Sequence, residues 1–354
     1  MYIDWARALA ILVMIEAHTL DAWTRAAARG TVAFRNAAIL GGFAAPLFLW
    51  LAGVSLVLSA ASVARCEGRR AAAVEAVCRR GLEVFVLAFL FRLQGFLVTP
   101  GGHPVMLFRV DILNIMGPSI AVAGLVWGLT RTIRGRVASY AAIAVAFATL
   151  TPIVRSAPLV NELPLWVQWY LRPAGDLAAF TMFPWAGFVF AGAAVGALLA
   201  PVRSAATERG LQMGLAATGA ALVAAGFYAS TRPSMYRASS FWTSSPTYFA
   251  MRVGILMVAV ATVYGLARLA ERRGLKLRPL ERFGRRSLFV YWIHVELVYG
   301  YATWPLHQRL PLWGTFCAFT AFTALMYAAV LLRDRLVGQW RSRRFVRTPQ
   351  IAPA

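Results

Sequence analysis

His18 is the side chain best suited to proton transfer here, because an imidazole titrates near neutral pH and can act as general base or nucleophile. It stands in an apolar run with Asp4, Arg7, Glu16 and Asp21. At 3.6 residues per turn, Asp4, Arg7, Ile11, Met14, His18 and Asp21 share one helical face, with His18 ~16 Å from Arg7 along the axis. Arg92, Asp111, Asn114, His294 and Glu296 also lie in or beside apolar runs. Asp111 and Asn114 are spaced i,i+3 and share a helix face. An ionisable group among apolar neighbours is costly and usually faces a protein-lined cavity. The expected site is therefore one polar cavity fed by several segments, suited to general-base chemistry with hydrogen-bond donors nearby. Simpler readings stay open. Asp4 and Arg7 could form a plain ion pair, Arg92 could snorkel to an interface, and Asp111 could be a helix N-terminal residue favoured by the dipole.

The elements that must position these groups are membrane helices. Of 354 residues, 60% are hydrophobic and 14% charged, with a mean hydropathy of +0.63. A soluble domain carries about 25% charged residues. The expected fold is all-α: a polytopic bundle of about ten transmembrane helices, each needing about 20 mainly apolar residues. The spans expected are 5–23, 40–61, 76–98, 111–130, 137–153, 178–200, 210–230, 248–267, 287–303 and 312–332. Lys and Arg concentrate in the even-numbered connections and the C-terminal tail, which places both termini in the cytosol. Residues 1–335 read as one transmembrane domain and 336–354 as a basic, disordered cytosolic tail.

The net charge of +22 does not point to nucleic acid, because the arginines sit in short clusters between apolar segments without a recurring aromatic-basic platform. Cys66, Cys78 and Cys317 form no C-x-x-C pair, so neither a metal site nor a disulfide framework is expected. The first apolar run, interrupted by Glu16 and His18, reads as an uncleaved helix. Residues 154–177, with Trp166, Trp169 and Tyr170, suit a short interfacial helix. The loop 268–286 carries eight Lys and Arg. It reads either as the positive-inside rule alone or as attraction for an anionic cofactor or headgroup.

Four stretches carry a resemblance. Ile3-Asp4-Trp5-Ala6-Arg7-Ala8-Leu9-Ala10 followed by His18 resembles the first helix of the transmembrane acyltransferase superfamily. Gly42-Phe43-Ala44-Ala45-Pro46-Leu47-Phe48-Leu49-Trp50-Leu51-Ala52-Gly53 resembles the second-helix signature of the heparan-α-glucosaminide N-acetyltransferase catalytic-domain family and its bacterial relatives. Val110-Asp111-Ile112-Leu113-Asn114 resembles its fourth helix, and Gly284-Arg285-Arg286 through His294 its late helix.

The resemblance implies transfer of an acyl group, usually acetyl, from cytosolic acyl-CoA to a hydroxyl or amine of an extracytoplasmic glycan or lipid. It implies an integral protein, in bacteria of the inner membrane, whose partners are acyl-CoA, an acceptor and membrane lipids. A homodimer is an open expectation. Within that scheme His18 is the expected base, alone or with His294, by direct transfer or through an acyl-imidazole. Asp111 would orient His18 or bind the acceptor, Asn114 and Arg92 would serve the oxyanion or a sugar hydroxyl, and Glu296 the substrate. Arg7 with Asp4, Arg69, Arg70, Arg79 and Arg80 would meet the CoA phosphates. A narrow slot among the first, second, fourth and ninth spans would carry the thioester arm. Gly41, Gly42, Ala44, Ala45 and Gly53 would either line it or merely allow tight packing. A transporter of lipid-linked sugar or small solutes is the competing reading, and a scaffold without chemistry the third.

Overall fold

The computed structural model describes residues 2–98 and 103–346. Its fourteen α-helices among those residues are α1 Tyr2–Trp23, α2 Ala26–Arg29, α3 Val32–Gly41, α4 Ala44–Glu67, α5 Arg70–Val98, α6 Ile112–Leu129 and α7 Ile133–Ser156. They continue as α8 Leu165–Leu171, α9 Met182–Leu199, α10 Ala205–Ser230, α11 Pro246–Arg272, α12 Arg278–Arg285, α13 Ser287–Tyr299 and α14 Leu312–Val346. No named strand forms among the described residues. The protein is an all-α polytopic membrane protein.

Each of the ten expected spans overlaps an α-helix. Among the described residues, eight stretches are long and apolar enough to cross a membrane: Val32–Glu67, Arg70–Val98, Ile112–Leu129, Ile133–Ser156, Met182–Leu199, Ala205–Ser230, Pro246–Arg272 and Leu312–Trp340. The other two differ for physical reasons. Helix α1 has 22 residues, but Asp4, Arg7, Glu16 and Asp21 dilute its apolarity. Helix α13 has 13 residues and stops at Gly300, after which Tyr301–Leu306 form a 3-10 turn. Outward faces are paved with apolar side chains, among them Leu82, Leu90 and Leu97 of α5, Leu125 and Leu129 of α6, and Phe316 and Leu325 of α14. Water would not tolerate so much contiguous exposed hydrocarbon, whereas lipid does.

Helix pairs form by close backbone approach. A Cβ at Gly53 of α4 would overlap the Val189 carbonyl of α9, and one at Gly192 would overlap the Trp50 carbonyl in return. Small residues at such crossings let dispersion act between backbones, the main source of helix attraction where no hydrophobic effect operates. Likewise Gly284 seats α12 against the Asp4 carbonyl of α1. Helix α1 is the central element. One side, with Ala6, Ala10, Val13 and Met14, joins the large core of α4, α5, α6 and α9. The other, with Ala8, Ile11, Ile15 and Trp23, packs on α13 and α14.

The connections differ from expectation in two places. The basic loop 268–286 is largely helical: α11 runs to Arg272 and α12 begins at Arg278. Arg286 pairs with Asp334 of α14 at 2.8 Å, and Arg282 approaches the same carboxylate at 3.9 Å, so part of the loop's charge ties α12 to the last helix. Residues 336–346, assigned from sequence to a disordered tail, continue α14. The rest of that tail, 347–354, lies outside the described residues. Within 154–177, the short helix α8 forms, with Trp169 buried and Trp166 exposed.

Candidate functional site

Two cavities flank the middle of α1 and α4. The first, about 660 Å³, is lined by Met14, His18 and Asp21 of α1, by Gly41 to Phe48 around the start of α4, and by Arg92 and Gly95 of α5. Arg109 and Asp111 before α6, Trp185 of α9, Arg252 of α11, and Tyr291, Glu296 and Tyr299 of α13 complete it. The second, about 790 Å³, is lined by Arg7 of α1, Phe48 to Ser59 of α4, Glu67, Glu75 to Val84 of α5, Met116 of α6, Arg285 of α12 and Leu288 of α13. Both volumes fall in the ordinary range of small-molecule sites.

His18 is anchored through one nitrogen. Its Nδ1 lies 3.1 Å from the Tyr299 hydroxyl, which donates to Asp21 Oδ2 at 2.8 Å. A hydroxyl whose proton goes to a carboxylate accepts from its other neighbour, so Nδ1 carries the imidazole proton and Nε2 keeps its lone pair. The carboxylate that holds His18 is thus Asp21, acting through Tyr299. Asp111, expected to orient His18, is engaged elsewhere: its Oδ2 pairs with Arg92, and its Oδ1 caps Ile112 N at 2.7 Å. It still lines the same cavity as His18.

Asn114 takes a structural place instead of the expected oxyanion position. Its Oδ1 accepts from the Asp111 backbone N–H at 2.9 Å, closing a capping box at the start of α6. Its Nδ2 donates to the Tyr170 hydroxyl at 3.4 Å, and the side chain is 1% exposed. Burial pushes the Tyr170 phenol above its ordinary range, so it stays neutral and accepts. His294 is fully buried beside the site. Its ring centroid is 5.3 Å from that of His18, and its Nδ1 lies 2.9 Å from the Val290 carbonyl, but it does not line the cavity. Arg92 and Glu296 both do.

On the arginine side, Arg7 pairs with Asp4 at 3.2 Å and donates to Ser55 Oγ at 2.5 Å. Arg79 and Arg80 share Glu83, at 3.3 and 3.1 Å. Glu67 and Glu75 line the cavity too, so its positive field is partly offset. Asp4 stands behind this wall, holding Arg7 and Arg285, the latter at 3.2 Å. Arg70 is spent on the C-terminus of α6, donating to the carbonyls of Gly128 and Thr130 at 2.9 and 2.7 Å. Arg69 is exposed outside the cavity. Of the small residues considered for a slot, Gly41, Gly42, Ala44 and Ala45 line the histidine cavity, whereas Gly53 serves packing.

Arg252, Arg109, Arg285 and Tyr299 were missed from sequence. An arginine within an apolar span signalled Arg252, whose guanidinium sits 4.2 Å from the Tyr248 ring centroid. Tyr291, Val295 and Tyr299 recur every four residues, which would have put Tyr299 on the cavity face of α13.

Fold and site define a polytopic helical membrane protein with a histidine held in one polar cavity and an arginine-lined cavity behind it. The family model described as heparan-alpha-glucosaminide N-acetyltransferase, catalytic, matches residues 1–226. The chain belongs to that family, and its class is membrane acetyltransferase. The late motif around His294 lies beyond the matched residues. No curated protein matches the chain.

Proposed function

We propose that the protein moves an acetyl group from cytosolic acetyl-CoA to a hydroxyl or amine of a glycan or lipid on the far side of the membrane. The observation that carries this reading is His18, held by Tyr299 with Nε2 free, in a cavity backed by the arginine-lined one. The arginine cavity receives Arg7 near the start of α1, Glu67 at the end of α4, Ala72 at the start of α5 and Arg285 of α12, helix ends that the loop charges assign to the cytosol. It is the donor side, with Arg7, Arg79, Arg80 and Arg285 facing the phosphates. The histidine cavity receives residues next to the opposite connections and is the acceptor side. Its aromatic rings (Phe96, Phe180, Trp185) and ionic groups (Arg92, Asp111, Arg252, Glu296) suit the apolar faces and hydroxyls of a sugar.

In the reaction, His18 Nε2 takes the proton of the acceptor O–H or N–H. The acceptor atom attacks the thioester carbonyl carbon, the C–S bond breaks, and the thiolate leaves with the proton returned by the imidazolium. A two-step route would place the acetyl on Nε2 first and release it to the acceptor second. Asp21 stabilises the imidazolium through Tyr299 in either route.

The test is purified full-length protein in nanodiscs with radiolabelled acetyl-CoA and amino-sugar acceptors. Label in the acceptor, lost in His18→Ala, is expected. Transport of an intact sugar without acetylation would overturn the reading.

A further inference from the structure

Phe48 lines both cavities, and among their lining residues it is the one they share. The face of α4 that carries it is otherwise mainly small. Ala44 and Ala45 precede it on the histidine side, while Ala52, Ser55 and Ser59 follow on the arginine side, flanked by Leu51 and Leu56. These positions recur every three to four residues, so they form one track along the helix. The Phe48 ring is half-buried and stacks on Tyr291 at 6.0 Å with a 22° interplanar angle. Tyr291 is braced in turn by Phe91 at 5.3 Å. Phe48 thus stands between the cavities, with Tyr291 of α13 packed on it from the histidine side. Tyr291 is backed by a second ring, whereas Phe48 has open space on two sides.

Resting on the reading above, we propose that Phe48 is the shutter between the donor and acceptor cavities and sets which acyl groups pass. The thioester arm must thread the small-residue track beyond Phe48 to bring its carbonyl to His18. A phenyl ring that swings about χ1 leaves a gap for a short acyl group and resists a longer one. The ring also keeps the two aqueous spaces apart when no donor is threaded. Ala52 and Ser55 on one side, and Ala45 on the other, leave the rest of the track open, so selectivity falls on this one position.

Two measurements test it. The first uses the full chain with Cys66, Cys78 and Cys317 changed to Ser and with Ala45→Cys as a reporter in the histidine cavity. A membrane-impermeant methanethiosulfonate is applied to inside-out vesicles, from the arginine-cavity side. With Phe48 present the reporter should resist labelling, and with Phe48→Ala it should label readily. Phe48→Met, which keeps bulk, should stay resistant and shows that the effect is not unfolding. Equal labelling with and without Phe48 overturns the shutter. The second compares butyryl-CoA with acetyl-CoA as donors. Phe48→Ala should raise the butyryl-to-acetyl ratio of kcat/KM about tenfold or more, the size expected when a few methylenes are newly accommodated. An unchanged ratio overturns the selectivity role. If no donor is turned over by any variant while labelling still depends on Phe48, the acetyltransferase reading fails and the partition stands.

Discussion

The Tyr299 hydroxyl bridges His18 and a carboxylate: it accepts from His18 Nδ1 at 3.1 Å and donates to Asp21. This contact spans α1 and α13 and selects the tautomer in which Nε2 keeps its lone pair. Tyr299→Phe keeps the ring and removes the bridge. Its kcat should fall about tenfold, the effect of losing one hydrogen bond worth ~1.4 kcal/mol in the transition state. The acetyl-CoA dissociation constant, measured by calorimetry, should not move. A fall in donor affinity with kcat preserved would place Tyr299 elsewhere in the mechanism.

Arg92 and Asp111 form a mostly buried ion pair between α5 and the start of α6, with side chains 16% and 12% exposed. Removing one partner leaves the other charge uncompensated, at about 3 kcal/mol. Asp111→Ala also removes the α6 cap, about 1 kcal/mol more. Both Asp111→Ala and Arg92→Leu should lower the thermal midpoint in detergent. Arg92→Leu combined with Asp111→Asn should recover part of the loss, because no lone charge remains and Asn still caps.

Donor binding separates arginines that look alike in sequence. Arg7→Ala should weaken acetyl-CoA binding about tenfold or more, as expected for one charge-assisted hydrogen bond to phosphate. Arg70→Ala should leave donor affinity unchanged and lower stability, because that guanidinium serves the α6 carbonyls. Calorimetric titration of both variants checks this.

The α4–α9 crossing has no room for a side chain at Gly53. Gly53→Val should destabilise the protein by about 1–3 kcal/mol through overpacking. Gly210→Ala in α10, where nothing lies within 4 Å, should be neutral or stabilising by up to about 1 kcal/mol. Paired thermal melts of the two variants measure the contrast.

Helix positions were legible because lipid demands continuous apolar runs, and that demand is written locally along the chain. The ends were less so, since α11 and α14 extend beyond the apolar stretch into basic turns that solvent also accepts. His18 and Arg7 were readable as separate levels on one helix face, and the structure gives each its own cavity. Partnership across helices was not readable. Asp111 could have met either His18 or Arg92, and only the packing of α5 against α6 decides for Arg92. Arg69, Arg70, Arg79 and Arg80 formed one basic cluster in sequence, yet helix rotation sends Arg70 to a helix terminus and Arg79 and Arg80 to the cavity.

The most direct measurement is acetyl transfer by His18→Ala in nanodiscs, with acetyl-CoA affinity determined on the same preparation. Transfer should drop to background while donor affinity is retained, because the imidazole lies in the cavity opposite the arginines. Transfer at the unmodified rate with His18 absent would contradict the assignment of that imidazole as the base.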